Sequence, residues 1–346
     1  MSEISTHTTV HSRMSCFVDW IAPDPEKIDD IAERADKARK YIQKCAEEDG
    51  LTVVDTPKAG SFEKKNGLRR HYLGHAEIDG LDVDIPMVIK PKDDDGDVID
   101  ELLGKFKKYV ETYKKNLYPA ATITQTKSSV KITFADEVSF DIVPMLSTSV
   151  KDEQILIRAN GERIKTSVQK HNEFVKGRTK KSNEEAGRVK FNECIRLIKW
   201  WRDIQADNGY YLTDENTPPS IVVDLLCAFA FDKLNVEKTY PETLAKWFSY
   251  LANVVRTKKP VFFTDYYTTP TIDTAANWVV LDSVNAQNNI TKNWSVSKTN
   301  ELAEWFEAGR DTWSRIIHLD EDGEDSKSLD ELVQLFGTPF KNHCEK

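Results

Sequence analysis

GLDVDIPMVI, residues 80–89, sets two aspartates into an apolar strand. Successive side chains of a strand point to opposite faces, so Asp82 and Asp84 share one face while Val83 and Ile85 share the other. Two ionised carboxylates on a half-buried strand repel each other and lose hydration. The pattern therefore predicts a compensating positive charge, supplied either by basic side chains or by bound cations.

A third aspartate has a similar setting. Asp141 lies between Phe140 and Ile142 in VSFDIVPML, which also has the composition of a strand. If this strand pairs with the first, three carboxylates converge and can hold two cations about 3.5–4 Å apart, as in phosphoryl transfer. We expect two Mg²⁺, with Mn²⁺ as an alternative, because these ions take oxygen ligands. In the competing interpretation, the aspartates cap turns or form salt bridges.

Gly60-Ser61 follows the short predicted strand LTVVDT and precedes Asp82 by 21 residues. Such a dipeptide usually marks only a turn, but exposed backbone N–H groups and a hydroxyl there can bind phosphates. A triphosphate bridged to the same cations needs such donors. The turn and the carboxylates therefore support each other as parts of one nucleotide site.

The remaining pattern predicts an α+β fold with a mixed sheet backed by helices. Residues 25–48 and 98–117 have amphipathic helical spacing, and the segments 128–134 and 138–146 look like paired strands. After about residue 160 the chain becomes mainly helical, over 166–178, 183–204, 219–233, 241–255 and 298–316. We expect a catalytic lobe with a long N-terminal helix at 1–160, and a helical lobe at 161–346 that completes the nucleotide cleft.

Composition excludes several classes of protein. The net charge of −9 and pI near 5.4 argue against strong binding of duplex nucleic acid. The basic stretch 163–190 is either a solvated helical surface or a wall that faces phosphates. No segment approaches the roughly 18 apolar residues of a membrane helix, and the five scattered cysteines fit a reducing compartment. We expect a cytoplasmic protein without a membrane partner.

The combination GSF, DVDI and FDIVP resembles the DNA polymerase β-like nucleotidyltransferases. The matching branch contains oligoadenylate synthetases, cyclic GMP-AMP synthase and the bacterial cyclic-oligonucleotide synthases, or CD-NTases, of anti-phage (CBASS) signalling. FNECIRLIKWWRD and PPSIVVDLL resemble two helices of that branch, and VVLDSVNAQNN resembles a segment near its C-terminus. The resemblance extends over residues 25–316.

This resemblance implies an enzyme that joins nucleoside triphosphates, ATP among them, into a cyclic di- or oligonucleotide second messenger and releases pyrophosphate. Asp82, Asp84 and Asp141 would be the catalytic and metal-binding residues. The nucleotide phosphates would contact Gly60, Ser61, Lys199 and Ser220. A receptor effector would sense the product, and some related systems add a regulatory protein.

Other functions are compatible with the same motifs. A linear polymerising or substrate-modifying nucleotidyltransferase would share the same motifs, and a catalytically silent sensor would be expected to lack a metal carboxylate. Ile221 replaces an aromatic that stacks on a base in cyclic GMP-AMP synthase, so stacking comes from Tyr210 or Tyr211 or is absent. Arg69, Arg70, His71 and His75 are either solvated or contact nucleotide.

Overall fold

The computed structural model describes residues 9–73, 76–78, 80, 82–91, 101–185, 187–207 and 217–344. The chain forms two compact units. One, the mixed unit, comprises Pro23–Arg70 and Asp79–Glu173; the other, the helical unit, comprises Met1–Ala22, His71–Ile78 and Phe174–Lys346. Where the sequence predicts one boundary after residue 160, the structure groups residues 9–22 and a short hairpin with the C-terminal helices.

The described strands are β1 (Thr52–Asp55), β2 (His71–Leu73), β3 (Ala76–Ile78), β4 (Asp82–Lys90), β5 (Thr122–Gln125), β6 (Val130–Thr133), β7 (Ser139–Ser147), β8 (Gln154–Ile157) and β9 (Arg163–Thr166). Strands β1-β4-β7-β6-β5 lie side by side, and β8 joins β7 to β9. The pairing of β4 with β7 is parallel, whereas the other described pairs are antiparallel. Strands β2 and β3 form a separate hairpin. The sheet is therefore mixed, as predicted.

The described helices are α1 (Thr9–Trp20), α2 (Pro25–Glu48), α3 (Gly60–Lys64), α4 (Leu102–Leu117), α5 (Val168–Glu185), α6 (Phe191–Asp207), α7 (Ser220–Leu234), α8 (Tyr240–Arg256), α9 (Val296–Glu321), α10 (Asp325–Phe336) and α11 (Thr338–Cys344). Helix α2 begins where the sequence predicts, because Asp24 caps it by accepting from Glu26 N and Pro25 occupies the first turn. None of the described helices is long and apolar enough to span a bilayer.

The core of the mixed unit lies on one face of the sheet. Helices α2 and α4 pack there and bury residues such as Ile42 and Phe106 against Val83, Ile85 and Phe140. These five side chains are at most 1% exposed. Burying Val83 and Ile85 on this face directs the intervening residues of β4 to the opposite face.

Aromatic side chains fill the helical unit. Trp200, Trp247 and Trp313 are fully buried, and Trp201 is only 2% exposed. Both adjacent tryptophans of the motif FNECIRLIKWWRD therefore belong to the core. Trp200 also donates its indole N–H to the carbonyl of Phe336, 2.9 Å away, which joins α6 to the end of α10.

The α+β class is confirmed, but several elements depart from the predictions. The sequence reading overlooks α1, α10 and α11, and it treats Gly60-Ser61 as a turn where a five-residue helix begins. Helices α5 and α6 both extend beyond their predicted C-terminal ends.

In the basic stretch 163–190, Lys180 and Lys181 are exposed, and each pairs with the glutamate four residues later. These pairs favour the interpretation of this part of the stretch as a solvated surface.

Candidate active site

The sheet brings the three predicted aspartates together. In the parallel pair β4–β7, Asp84 lies directly opposite Asp141. Asp82 lies on the same face as Asp84, two residues earlier, and opposite Ser139. Partly exposed Asp82 and Asp84 on β4 and Asp141 on β7 alternate with buried residues, and all three carboxylates therefore point away from the α2–α4 core.

A lysine accompanies these carboxylates. Strand β6 pairs with β7 so that Lys131 lies opposite Asp141. Its Nζ is 2.8 Å from Asp82 Oδ2 and 3.7 Å from Asp141 Oδ2. The predicted compensating charge is therefore present as an ammonium group shared by two of the three acids. This partly satisfies the salt-bridge interpretation of the aspartates.

Hydroxyl groups fix two of the carboxylates. Ser139 Oγ donates to Asp82 Oδ1 at 2.9 Å, and Ser129 Oγ donates to Asp141 Oδ1 at 2.6 Å. The Ser129 hydroxyl lies 2.7 Å from Thr126 Oγ1, which can donate to it in turn. Each of these two acids thus has one oxygen held by a hydroxyl and the other within reach of a cation.

Burial disfavours the ionised form of two carboxyl groups. The pKa of Asp84 is raised to about 7, mainly by desolvation and then by the charge of Asp141, although Lys64 and Lys131 oppose the shift. Desolvation also raises the pKa of Asp141, against the opposing effects of Ser129 and Lys131. Lys64 and Lys131 do not fully offset the negative charge of the three carboxylates. A further cation bound beside these carboxylates would therefore be stabilised.

Gly60 permits a very close approach between α3 and the acidic strand. Its φ is +74°, and a Cβ at this position would lie 1.8 Å from Asp84 Oδ2. Only glycine has both the required backbone freedom and the required absence of a side chain. Ser61 is the next residue of α3, and its contact with nucleotide phosphates stays a prediction.

A cavity of about 430 Å³ adjoins the acids within the mixed unit. Asp84, Asp141 and Lys131 line one part of it, together with the hydroxyl-bearing Thr126 and Ser129. The remaining wall is largely apolar and includes Val143, Met145, Leu156 and Val168. This volume falls within the range of small-molecule sites.

The two other predicted phosphate contacts belong to the helical unit. Lys199 is 4% exposed, and its Nζ lies 2.8 Å from Asp224 Oδ1. Asp224 is the acid of the PPSIVVDLL motif, so this ion pair joins the two motif helices α6 and α7. Ser220 is exposed at the start of α7, where Arg202 Nη1 donates to its hydroxyl at 3.1 Å.

Sequence reasoning missed Lys131, Ser129, Lys64 and Arg202. For the first two a signal existed, since the alternation in SSVKITF puts Ser129 and Lys131 on one face and the short ADE turn folds that face back onto Asp141. Of the residues with open roles, Arg70 pairs with Glu137, with N and O 3.6 Å apart. His75, Tyr210 and Tyr211 lie outside the described residues.

Oxygen ligands on one sheet face suit Mg²⁺ or Mn²⁺. Asp82, Asp84 and Asp141 would supply the ligands, and the raised pKa of Asp84 is the observation that fits them to a cation. As they stand, the side chains of the described residues form no metal-spaced group of three or more His, Cys, Asp or Glu. Lys131 Nζ contacts two of the acids instead.

The chain matches the family of the Second Messenger Oligonucleotide or Dinucleotide Synthetase domain over residues 8–178. A search of curated proteins finds no match. Among solved structures, CdnC of E. coli MS115-1 with ATP is 22% identical, with a TM-score of 0.72 and coverage of 96% of this chain and 99% of that one. The same protein is also solved in a complex with HORMA-deltaN, with a TM-score of 0.71, 22% identity and coverage of 95% and 97%.

Two further structures share the fold at lower identity. CdnG of Bradyrhizobium diazoefficiens with GTP is 14% identical, with a TM-score of 0.68 and coverage of 97% of both chains. Vibrio cholerae DncV, a cyclic AMP-GMP synthase solved with the linear intermediate 5′ pppA(3′,5′)pG, is 13% identical, with a TM-score of 0.65 and coverage of 96% and 97%.

These findings confirm the resemblance to cyclic-oligonucleotide synthases, the fold class and the expectation of a nucleotidyltransferase. The matched residues contain Gly60 and all three clustered aspartates. The fold match extends through the helical residues as well. Residues 8–178 therefore match the Second Messenger Oligonucleotide or Dinucleotide Synthetase domain, and the whole chain shares the fold of the solved CdnC structure.

Proposed function

We propose that this protein is a Mg²⁺-dependent synthase that joins nucleoside triphosphates into a cyclic di- or oligonucleotide. The observation that carries this proposal is the in-register pairing of Asp84 with Asp141, with Asp82 on the same face. It supplies three carboxylates in a domain of second-messenger synthetases. The structures of similar proteins with ATP, with GTP and with a linear intermediate support the same substrate class.

The three aspartates would hold Mg²⁺, or Mn²⁺, on the face of the sheet opposite the core. When bound, such ions lower the pKa of an attacking hydroxyl and neutralise charge on the leaving phosphates. Asp141 would orient the acceptor side, because Ser129 already fixes one of its oxygens. The acceptor ribose hydroxyl attacks the α-phosphate of the donor, and pyrophosphate leaves in line.

Candidate phosphate-binding residues occur in each unit. Gly60 and Ser61 would approach the donor phosphates beside Asp84, where the absent side chain of Gly60 leaves the backbone close to the acid. Ser220, with Arg202 donating to its hydroxyl, offers a polar and cationic pair in the helical unit. Lys199 would bind a phosphate directly only if its ammonium group left Asp224.

The biological setting extends the proposal further. A cyclic nucleotide would act in anti-phage defence by activating a receptor effector, in the cytoplasm. The similar CdnC was solved in complex with HORMA-deltaN, which supports a regulatory protein partner for this chain too. Phage challenge of cells that express the protein with its genomic neighbours, against an Asp84→Asn version, tests this level. Equal plaque counts in the two strains would contradict the defensive role.

The direct test is incubation with the four ribonucleoside triphosphates and Mg²⁺, followed by phosphatase and mass spectrometry. We expect a product that resists phosphatase and has the mass of a ring, together with pyrophosphate. Asp84→Asn and Asp141→Asn should abolish it, whereas Asp55→Asn, an exposed change in the same unit, should not. Only phosphatase-sensitive chains would identify a linear polymerase, and nucleotide binding without turnover would identify a silent sensor.

A further inference from the structure

Two cysteines from the ends of the described chain lie in contact. Cys16 is in α1 and Cys344 is the last residue of α11, yet their Sγ atoms are 3.0 Å apart. A disulfide has an S–S distance of about 2.05 Å, so a shift of roughly 1 Å would suffice for the bond. In the structure, both residues are free thiols.

Ring packing holds the two helices together around this pair. Phe17 packs against Phe340 with centroids 4.8 Å apart, and Trp20 stacks on His343 at 4.0 Å. The Cys16 thiol also lies 3.4 Å from the carbonyl of His343. These contacts involve the residues next to both cysteines, so the proximity of the sulfurs follows from helix packing.

The two thiols differ in accessibility. Cys16 is exposed, whereas Cys344 is 1% exposed. Burial and the neighbouring Cys16 raise the pKa of the Cys344 thiol. An oxidant in solution therefore meets Cys16 first, while Cys344 is positioned behind it as the resolving thiol.

The other three cysteines lack this arrangement. Cys194 and Cys227 are fully buried in α6 and α7, and burial raises the pKa of each thiol. Cys45 is partly exposed in α2 and belongs to the mixed unit. Cys45 thus provides an accessible thiol for comparison.

We propose that Cys16 and Cys344 form an oxidant-sensitive modification site that a hydroperoxide converts into an intramolecular disulfide. The Cys16 thiolate attacks a peroxide oxygen, the O–O bond breaks, and a sulfenic acid and hydroxide form. The Cys344 sulfur then attacks the Cys16 sulfur, the S–O bond breaks, and the S–S bond forms. The two thiols lose two electrons in total, and with hydrogen peroxide the two oxygens leave as two waters.

The disulfide would link α1 to α11 across 328 positions of sequence. Closing so long a loop restricts the unfolded chain, and this stabilises the folded state. We expect the oxidised protein to melt roughly 5–10 °C higher than the reduced protein. A thiol reductant should reverse the shift.

The test treats the full chain with hydrogen peroxide at a low molar ratio and counts thiols after denaturation. We expect a fall from five free thiols to three and, by non-reducing peptide mapping, one linkage between Cys16 and Cys344. Cys16→Ser, at an exposed position, should keep its remaining four thiols under the same treatment. Cys45→Ser should still form the linkage and show the thermal shift.

Four outcomes would overturn the proposal. Sulfinic acid at Cys16 without a crosslink would show that Cys344 does not resolve it. Covalent dimers through Cys16, or a linkage to Cys45, would show that another thiol is the true partner. Cys16 and Cys344 that stay reduced at peroxide levels that oxidise Cys45 would show that the contact confers no reactivity. Because Cys16 is exposed, its serine variant should fold and keep each result readable.

Discussion

Lys131 Nζ lies 2.8 Å from Asp82 Oδ2 and 3.7 Å from Asp141 Oδ2, on the strand next to the one that carries Asp141. The lysine is the nearest positive charge shared by these two acids in the described structure. A divalent cation bound by the same oxygens would face repulsion from this ammonium group unless the side chain moved. The lysine should therefore weaken the affinity of the site for metal.

We predict that Lys131→Met binds Mn²⁺ more tightly, by roughly tenfold, because the variant removes one positive charge beside the ligands. Calorimetric titration of Mn²⁺ into the nucleotide-free protein measures this directly. Lys165→Met removes an exposed lysine of the same unit and should leave the affinity unchanged. An unchanged or lower affinity in Lys131→Met would show that the lysine does not compete with the metal.

Asp84 should make folding stability depend on pH. Its folded pKa is about 7, above the unfolded value near 3.9, so the folded state binds the proton more tightly. The contribution of Asp84 to stability is therefore greatest below about pH 4, declines as pH rises towards 7, and levels off above that. The difference is at most roughly 4 kcal/mol, since one pKa unit corresponds to about 1.36 kcal/mol.

We therefore predict that, relative to the parent, Asp84→Asn gains free energy of unfolding as pH rises from 4 to 8. Urea unfolding in the presence of a chelator measures the difference at each pH. Asp55→Asn, at an exposed position, provides the control. A stability difference that stays constant across this range would refute the assignment of the proton to Asp84.

Gly60→Ala should reduce activity far more than the loss of glycine's backbone freedom would by itself. The added methyl would lie 1.8 Å from Asp84 Oδ2, so either α3 or the carboxylate must shift. We expect synthase activity to fall by at least about 100-fold, because a displacement of about 1 Å can have that effect.

Gly50→Ala supplies the matched control. Gly50 also has positive φ, +81°, but nothing lies within 4 Å of its Cβ position. It should lose roughly 1 kcal/mol of stability with little change in activity. Equal kinetic losses in the two variants would mean that the contact with Asp84 is unimportant.

The Lys199–Asp224 pair should contribute to the stability of the helical unit. Asp224→Ala leaves a buried ammonium without this partner and should cost about 3–5 kcal/mol. The double change Lys199→Met with Asp224→Leu should recover most of that loss. Chemical denaturation of the single and double variants measures the coupling. Strict additivity would indicate that the two residues act independently.

The same double variant separates a phosphate role from a packing role for Lys199. If the lysine binds phosphate, the stable double variant should show a raised KM for the triphosphate. If the lysine serves only to join α6 and α7, KM should resemble that of the parent. The two outcomes differ even when both proteins are fully folded.

The mixed unit was the more predictable part of the fold. Alternating residues around Asp82 and Asp141 identify β4 and β7, and the acids' shared face follows from the pleat. The register that places Asp84 opposite Asp141 depends on the pairing of segments far apart in sequence. The sequence predicts this register only if the two strands are assumed to pair.

Other features depend on contacts that local patterns do not contain. In α1, Val10, Met14 and Phe17 have helical spacing, but polar residues between them obscure the apolar face. The burial of Lys199 depends on Asp224, 25 positions later and on a different helix. A lysine beside a phosphate and a lysine paired in a core look alike in sequence, because both can interrupt an apolar helix.

The direct opposition of Asp84 and Asp141 would set the distance between any two cations that these carboxylates hold. Neighbouring strands lie about 4.8 Å apart, close to the 3.5–4 Å between paired catalytic ions. The hydrogen-bonded pairing of the two strands thus fixes the spacing of the carboxylate oxygens. Flexible loops need not set this spacing. In the synthase proposed above, changes in distant loops would then alter nucleotide selection without changing the distance between the bound cations.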